Sequence, residues 1–146
     1  MRAYRLAYDG RPFYGFQRQP RVPTVEGALF DALADLGVTD ERGAPDGYAA
    51  AGRTDAGVSA REQTVAFEAP DWLTPAALSS ALPATVRAWA AAAVPAAFHA
   101  THDATRRRYV YHDHAPGADD AAVRAAAARL SGRHDFHNLT PDETGT

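Results

Sequence analysis

Alternating apolar runs, interrupted twice by helix-start signals, constrain the fold of this chain more than any other feature. Tyr4, Leu6 and Tyr8 share one face of the N-terminal run and Arg5, Ala7 and Asp9 the other, the period of a half-buried strand that Asp9-Gly10 ends. Pro23-Thr24 then opens a helix, with Thr24 as cap and Glu26 at the positive end of the dipole. Val25, Leu29, Ala32, Leu33 and Leu36 follow at helical spacing until Gly37 stops the run. Residues 38–46 read as a polar loop, Tyr48 to Ala51 as a short strand, and Gln63, Val65 and Phe67 as one face of a third strand. Thr74-Pro75 starts a second helix that Pro83 ends, and Val86 to Val94 is apolar enough to be a central strand. Strand–helix–strand–strand–helix–strand is the order of a ferredoxin-like α+β unit, the frame of many RNA-binding domains. The first domain is predicted to span residues 1–97.

A second domain, 98–146, begins at Phe98. Arg107 to His114 alternates Tyr109 and Tyr111 against Val110, His112 and His114, which predicts a strand. Asp119 caps a helix running to Leu130, and Gly132 stops it. One strand, one helix and a loop cannot bury themselves, so this second unit reads as incomplete. The bulk properties exclude several classes. Without cysteine there is no disulfide, thiol catalysis or Cys-ligated zinc. No apolar run approaches the ~20 residues that span a bilayer, and Met1-Arg2-Ala3-Tyr4-Arg5 carries no signal-peptide hydrophobic stretch, so the expected location is cytoplasmic. All 15 basic residues are arginine and the net charge is −3, so an RNA partner would need the arginines gathered on one face.

The chemistry concentrates in Gly52-Arg53-Thr54-Asp55-Ala56-Gly57, between two predicted strands. Glycines shape such a loop sharply, and loops on rigid frames present single side chains into clefts. Apolar Ala56 and Val58 would desolvate the Asp55 carboxylate, while the Arg53 guanidinium would favour its ionised, nucleophilic form. A surface turn in which Asp55 bonds its own backbone fits the same pattern. Upstream, Arg11 to Arg21 mixes aromatics, glutamines and arginines. Two readings hold together there, with Phe13 and Phe16 tucked under the first helix and Gln17, Arg18 and Arg21 facing RNA. Arg106, Arg107 and Arg108 would extend that basic face.

The loop Gly52-Arg53-Thr54-Asp55-Ala56-Gly57-Val58 resembles the catalytic loop of the tRNA pseudouridine synthase A (TruA) family. So, in order and spacing, do Tyr8-Asp9-Gly10 with Phe13 and Gly15-Phe16-Gln17, Thr24-Val25-Glu26-Gly27, Phe98-His99-Ala100 with Arg107-Arg108-Tyr109-Val110-Tyr111, and Gly132-Arg133-His134-Asp135-Phe136. The resemblance implies a pseudouridine synthase fold of ferredoxin-like units with a mostly antiparallel sheet. It implies a cofactor-free isomerase that detaches uracil from ribose and reattaches it through carbon. The implied substrate is the tRNA anticodon stem-loop at positions 38–40, and the implied assembly is a homodimer on one tRNA. Asp55 matches the family's essential aspartate, Tyr109 the tyrosine that packs against the target base, and Arg53 an arginine that holds the flipped-out nucleotide. Phe16 stands where the family usually has tryptophan, and Ser59 where it commonly has histidine. The chain reaches about halfway through the family's extent, which implies that the remainder would complete the second domain and supply a basic partner for the aspartate.

Two other readings compete. A ferredoxin-like frame with aromatics and arginines would serve a non-catalytic RNA-binding fragment, although Asp55 repels phosphate. His112 and His114 with His134, Asp135 and His137 could ligate a metal in a hydrolase, but Val110 shares the first pair's face and no other motif completes a shell. The expected metal is therefore none.

Overall fold

The structure is a computed structural model in which residues 1–136 are described. It divides into two compact units, Met1–Arg107 and Arg108–Thr146.

In the first unit the elements run β1 (Arg2–Tyr8), α1 (Val25–Asp35), β2 (Ala49–Ala50), β3 (Ala60–Phe67), α2 (Pro75–Ala81) and β4 (Val86–Ala93). The sheet order is β2-β3-β1-β4, with every neighbouring pair antiparallel. This is the ferredoxin-like arrangement read from the sequence. The helices begin where their caps dictate: Thr24 Oγ1 accepts from Gly27 N at 3.1 Å and Thr74 Oγ1 from Ala77 N at 3.1 Å. Each such cap stabilises its helix by roughly 1 kcal/mol.

The core forms because β1 and β3 turn alternate residues toward the helices. Tyr4, Leu6, Tyr8, Val65 and Phe67 pack with Val25, Leu29, Phe30 and Leu33 of α1 and Leu78 of α2. Tyr4 stacks on Phe67 with ring centroids 5.0 Å apart, and its hydroxyl donates to the Leu73 carbonyl at 2.9 Å. The opposite sheet face is only partly covered. At one end Ala49, Ala66 and Ala100 form a small second cluster with Met1, Ala3 and Phe98 packed against it.

Two expectations are corrected. The strand Val86–Ala93 is an edge strand, because β1 and β3 take the centre. Its apolar run is mostly alanine, and Arg87 and Trp89 leave it exposed on one face. Its free edge is blunted by the Ser79 hydroxyl, which accepts from Ala88 N at 3.0 Å and donates to Ala88 O at 2.9 Å. The predicted strand at 107–114 is irregular and exposed, having no ladder partner among the described residues.

The second unit contains α3 (Asp120–Leu130), capped as expected by Asp119, whose Oδ1 accepts from Ala121 N at 2.8 Å and Ala122 N at 3.2 Å. No residue of α3 is buried.

Candidate functional site

The loop between β2 and β3 is formed by a tight turn. Val58 N donates to Asp55 O at 3.2 Å, and Gly57 occupies the third turn position with φ 77°, a value that glycine adopts without strain. Four anchors hold this turn to the frame. Phe16 N donates to Thr54 O at 2.9 Å, and Gly57 N to Phe13 O at 3.2 Å. The Tyr8 and Thr54 hydroxyls lie 2.8 Å apart. The amide of Gln63, a buried polar residue on an otherwise apolar strand face, donates to Gly52 O. Gly10 closes the other side. A Cβ there would stand 2.0 Å from Val58 O, so only glycine permits the approach.

Phe13 and Phe16 point inward, as expected, and tie the aromatic segment to both the core and the turn. Gln17, Arg18 and Arg21 are exposed. The Arg18 guanidinium lies over the Phe30 ring at 5.9 Å, and Arg18 N donates to Glu26 Oε2 at 2.7 Å. Arg107 is engaged differently from the free contact expected of it. Its Nε donates to Ala51 O at 2.8 Å and one terminal nitrogen to Thr101 O at 2.9 Å, while Thr101 Oγ1 donates to Ala50 O at 2.6 Å. These bonds clamp the exit of β2, where the candidate loop begins. Arg106, Arg108 and Tyr109 are exposed, the last two in the second unit.

One expectation about Asp55 fails. Ala56 and Val58 are themselves exposed, so they do not bury the carboxylate, and Asp55 is open to solvent beside exposed Arg53. The desolvated group near the loop is Tyr48. Its hydroxyl is buried on the Glu26 side of the loop, and its ring meets Phe30 edge-on with centroids 4.9 Å apart. Burial pushes that phenol far above its ordinary value, the Glu26 carboxylate adds to the shift, and Arg53 opposes it. Tyr48 therefore stays neutral. Tyr8, Gln63 and Tyr48 were not singled out from the sequence as supports of this site. Gln63 carried a signal, as a polar residue in an apolar alternation. Tyr8 and Tyr48 carried none.

Among the described residues no three His, Cys, Asp or Glu side chains gather as metal ligands would. The His99 and His102 rings lie tilted with centroids 4.3 Å apart, and His112 and His114 are exposed on irregular backbone. His137 lies outside the described residues. No helix among the described residues is long and apolar enough to cross a membrane.

No family model matches the chain. Its curated relatives are informative. It is 69% identical to tRNA pseudouridine synthase A of Natronomonas pharaonis, an alignment covering 100% of this chain and 55% of the relative. It is 60% identical to tRNA pseudouridine synthase A of Haloarcula marismortui, over 100% of this chain and 57% of the relative. The protein of the same name from Methanosarcina barkeri is 43% identical over 94% of this chain and 52% of its own length. The chain thus spans about half the length of the curated relatives it matches, and its likeness to tRNA pseudouridine synthase A runs from end to end.

Proposed function

We propose that this chain carries the nucleophile-bearing loop of a tRNA pseudouridine synthase A, an isomerase that converts uridine to pseudouridine in tRNA. The observation that supports the reading best is the state of Asp55. Its carboxylate has no hydrogen bond or ion pair among the described residues, yet its turn is anchored through Thr54, Gly57 and Gly52. A surface turn of the bland kind would spend the aspartate on its own backbone.

In this reaction the bond from N1 to C1′ breaks and one from C5 to C1′ forms, while C5 loses a proton and N1 gains one. A carboxylate nucleophile splits the exchange into two easier steps by holding one partner covalently. The target base must first leave its stack, which costs a few kcal/mol, and Tyr109 offers it a new aromatic partner. Arg53 helps hold the extruded nucleotide. The loop does not enclose Asp55, so the docked RNA itself must exclude water there. The substrate on this reading is the anticodon stem-loop at positions 38–40, bound by a cytoplasmic homodimer without cofactor.

Release of tritium from C5-labelled uridine in tRNA tests the reading, using the protein extended to its relatives' full length. Release from positions 38–40, undiminished by chelator, is expected. Binding of tRNA with no release would instead support the non-catalytic RNA-binding alternative, and release abolished by chelator would restore the metal alternative.

A further inference from the structure

The helix-free face of the sheet carries an aromatic platform beside the candidate loop. Trp89 sits at a register irregularity of β4, where Arg5 pairs with Ala90 and Leu6 with Ala88. Ala88, opposite the core residue Leu6, is buried toward the helices, whereas Trp89 is the extra residue of the irregularity, set against Arg5 of the other face and 47% exposed. The indole Nε1 donates to Arg61 O at 3.2 Å. Arg61 belongs to β3, and β1 lies between β3 and β4. The ring therefore reaches across β1, whose local residue on that face is the small Ala7. Its orientation is fixed by the hydrogen bond.

The strands beside it carry exposed arginines. Arg87 lies opposite Ala7 on the same face, Arg5 projects from β1, and Arg61 is exposed. Glu62 lies 3.9 Å from Arg5, and Asp9, paired with Arg11, stands at the loop end of the same sheet. The patch is at the end of the sheet that carries the loop, because β3 begins at Ala60 directly after it and Gly10 N donates to Ser59 Oγ at 2.9 Å.

We propose that Trp89, with Arg87, Arg61 and Arg5, is a stacking site for an unpaired nucleotide of the RNA whose uridine enters at Asp55. A half-exposed ring held by a hydrogen bond, on strands that also carry exposed arginines, suits a base and its phosphates, and every base has a π-face to offer. An acidic protein surface would pair the arginines but gain little from the ring, so single-stranded RNA is the occupant that uses both. This proposal rests on the proposed function for the identity of the RNA, not for the existence of the site.

The test measures binding of a labelled tRNA anticodon stem-loop by the full-length protein. Trp89→Ala is expected to weaken binding about 5- to 100-fold, the range of one base–aromatic stack, while Trp89→Phe restores most of it. Arg87→Ala should lower the slope of log affinity against log salt by about one. The part of the tryptophan emission that Trp89→Phe removes should be the part quenched on RNA addition. Circular dichroism of each variant checks that the sheet is intact. Unchanged affinity in folded Trp89→Ala overturns the proposal, and a changed oligomeric state with unchanged RNA affinity reassigns the face to protein contact. Loss of binding in Trp89→Ala together with undiminished turnover in Asp55→Asn would leave this site standing and overturn the proposed function instead.

Discussion

The candidate loop and helix α3 are both exposed, yet they are exposed for opposite reasons. The loop at 52–57 sits on a unit with a continuous core, and each of its bends is tied to a buried or half-buried group: Tyr8, Phe13, Phe16 or Gln63. Helix α3 has a good cap, an Asp120–Arg124 ion pair at 3.2 Å and many alanines, but Val123 and Leu130 remain open. Local signals suffice to make a helix. Holding a reactive carboxylate in one place requires a frame behind it. Exposure in the loop is thus presentation, whereas exposure in α3 is an apolar stripe without a covering surface among the described residues.

The largest way to break this contrast is to remove the frame. Phe16 is fully buried and touches both core and turn, so Phe16→Ala should destabilise the first unit by about 3–5 kcal/mol. Denaturant melts should show that loss while leaving α3 helicity unchanged. A small change in stability would show that the turn does not depend on the core.

Removing one anchor is subtler. Tyr8→Phe deletes only the hydroxyl opposite Thr54 and should cost about 1 kcal/mol of stability. On the proposed function it should also lower kcat roughly tenfold while leaving tRNA affinity unchanged, because the turn loosens without losing a contact to RNA. Equal losses in kcat and affinity would mean that Tyr8 contacts the substrate.

These anchors mark the limit of what could be read from the sequence. The order of elements was legible because Thr24, Thr74, Pro75 and the alternation of β1 and β3 are local signals. Asp55 was legible through its glycine-bracketed motif. The supports were not, because Tyr8 looks like any core tyrosine until the fold brings Thr54 to it across the sheet end. The central-strand reading of 86–94 failed because composition does not tell an alanine-rich edge from a buried strand. The strand expected at 107–114 failed because a strand needs a partner, which periodicity cannot supply.

At the other end of the contrast, α3 rests on its cap. Asp119→Ala should weaken that helix by about 1 kcal/mol, seen as fraying of residues 120–123 in amide exchange, with the first unit's protection unaffected. The smallest effect expected is electrostatic. Hydrogen bonds from the Arg11 side chain, then from its backbone N–H, lower the Asp9 carboxyl to about 2. A carboxyl lowered in the folded state contributes stability above its unfolded value of 3.8, lost as pH falls toward about 2. Arg11→Ala should raise the Asp9 midpoint toward 3.8 in a chemical-shift titration, and an unmoved midpoint would refute the pairing.

The central claim is that the frame exists to present Asp55, and Asp55→Asn tests it most directly. Because the carboxylate is exposed and has no partner among the described residues, the substitution should leave the melting curve and tRNA affinity of the full-length protein unchanged while abolishing C5 tritium release. Release close to that of the unsubstituted protein, at unchanged affinity, would contradict the account and place the nucleophile elsewhere.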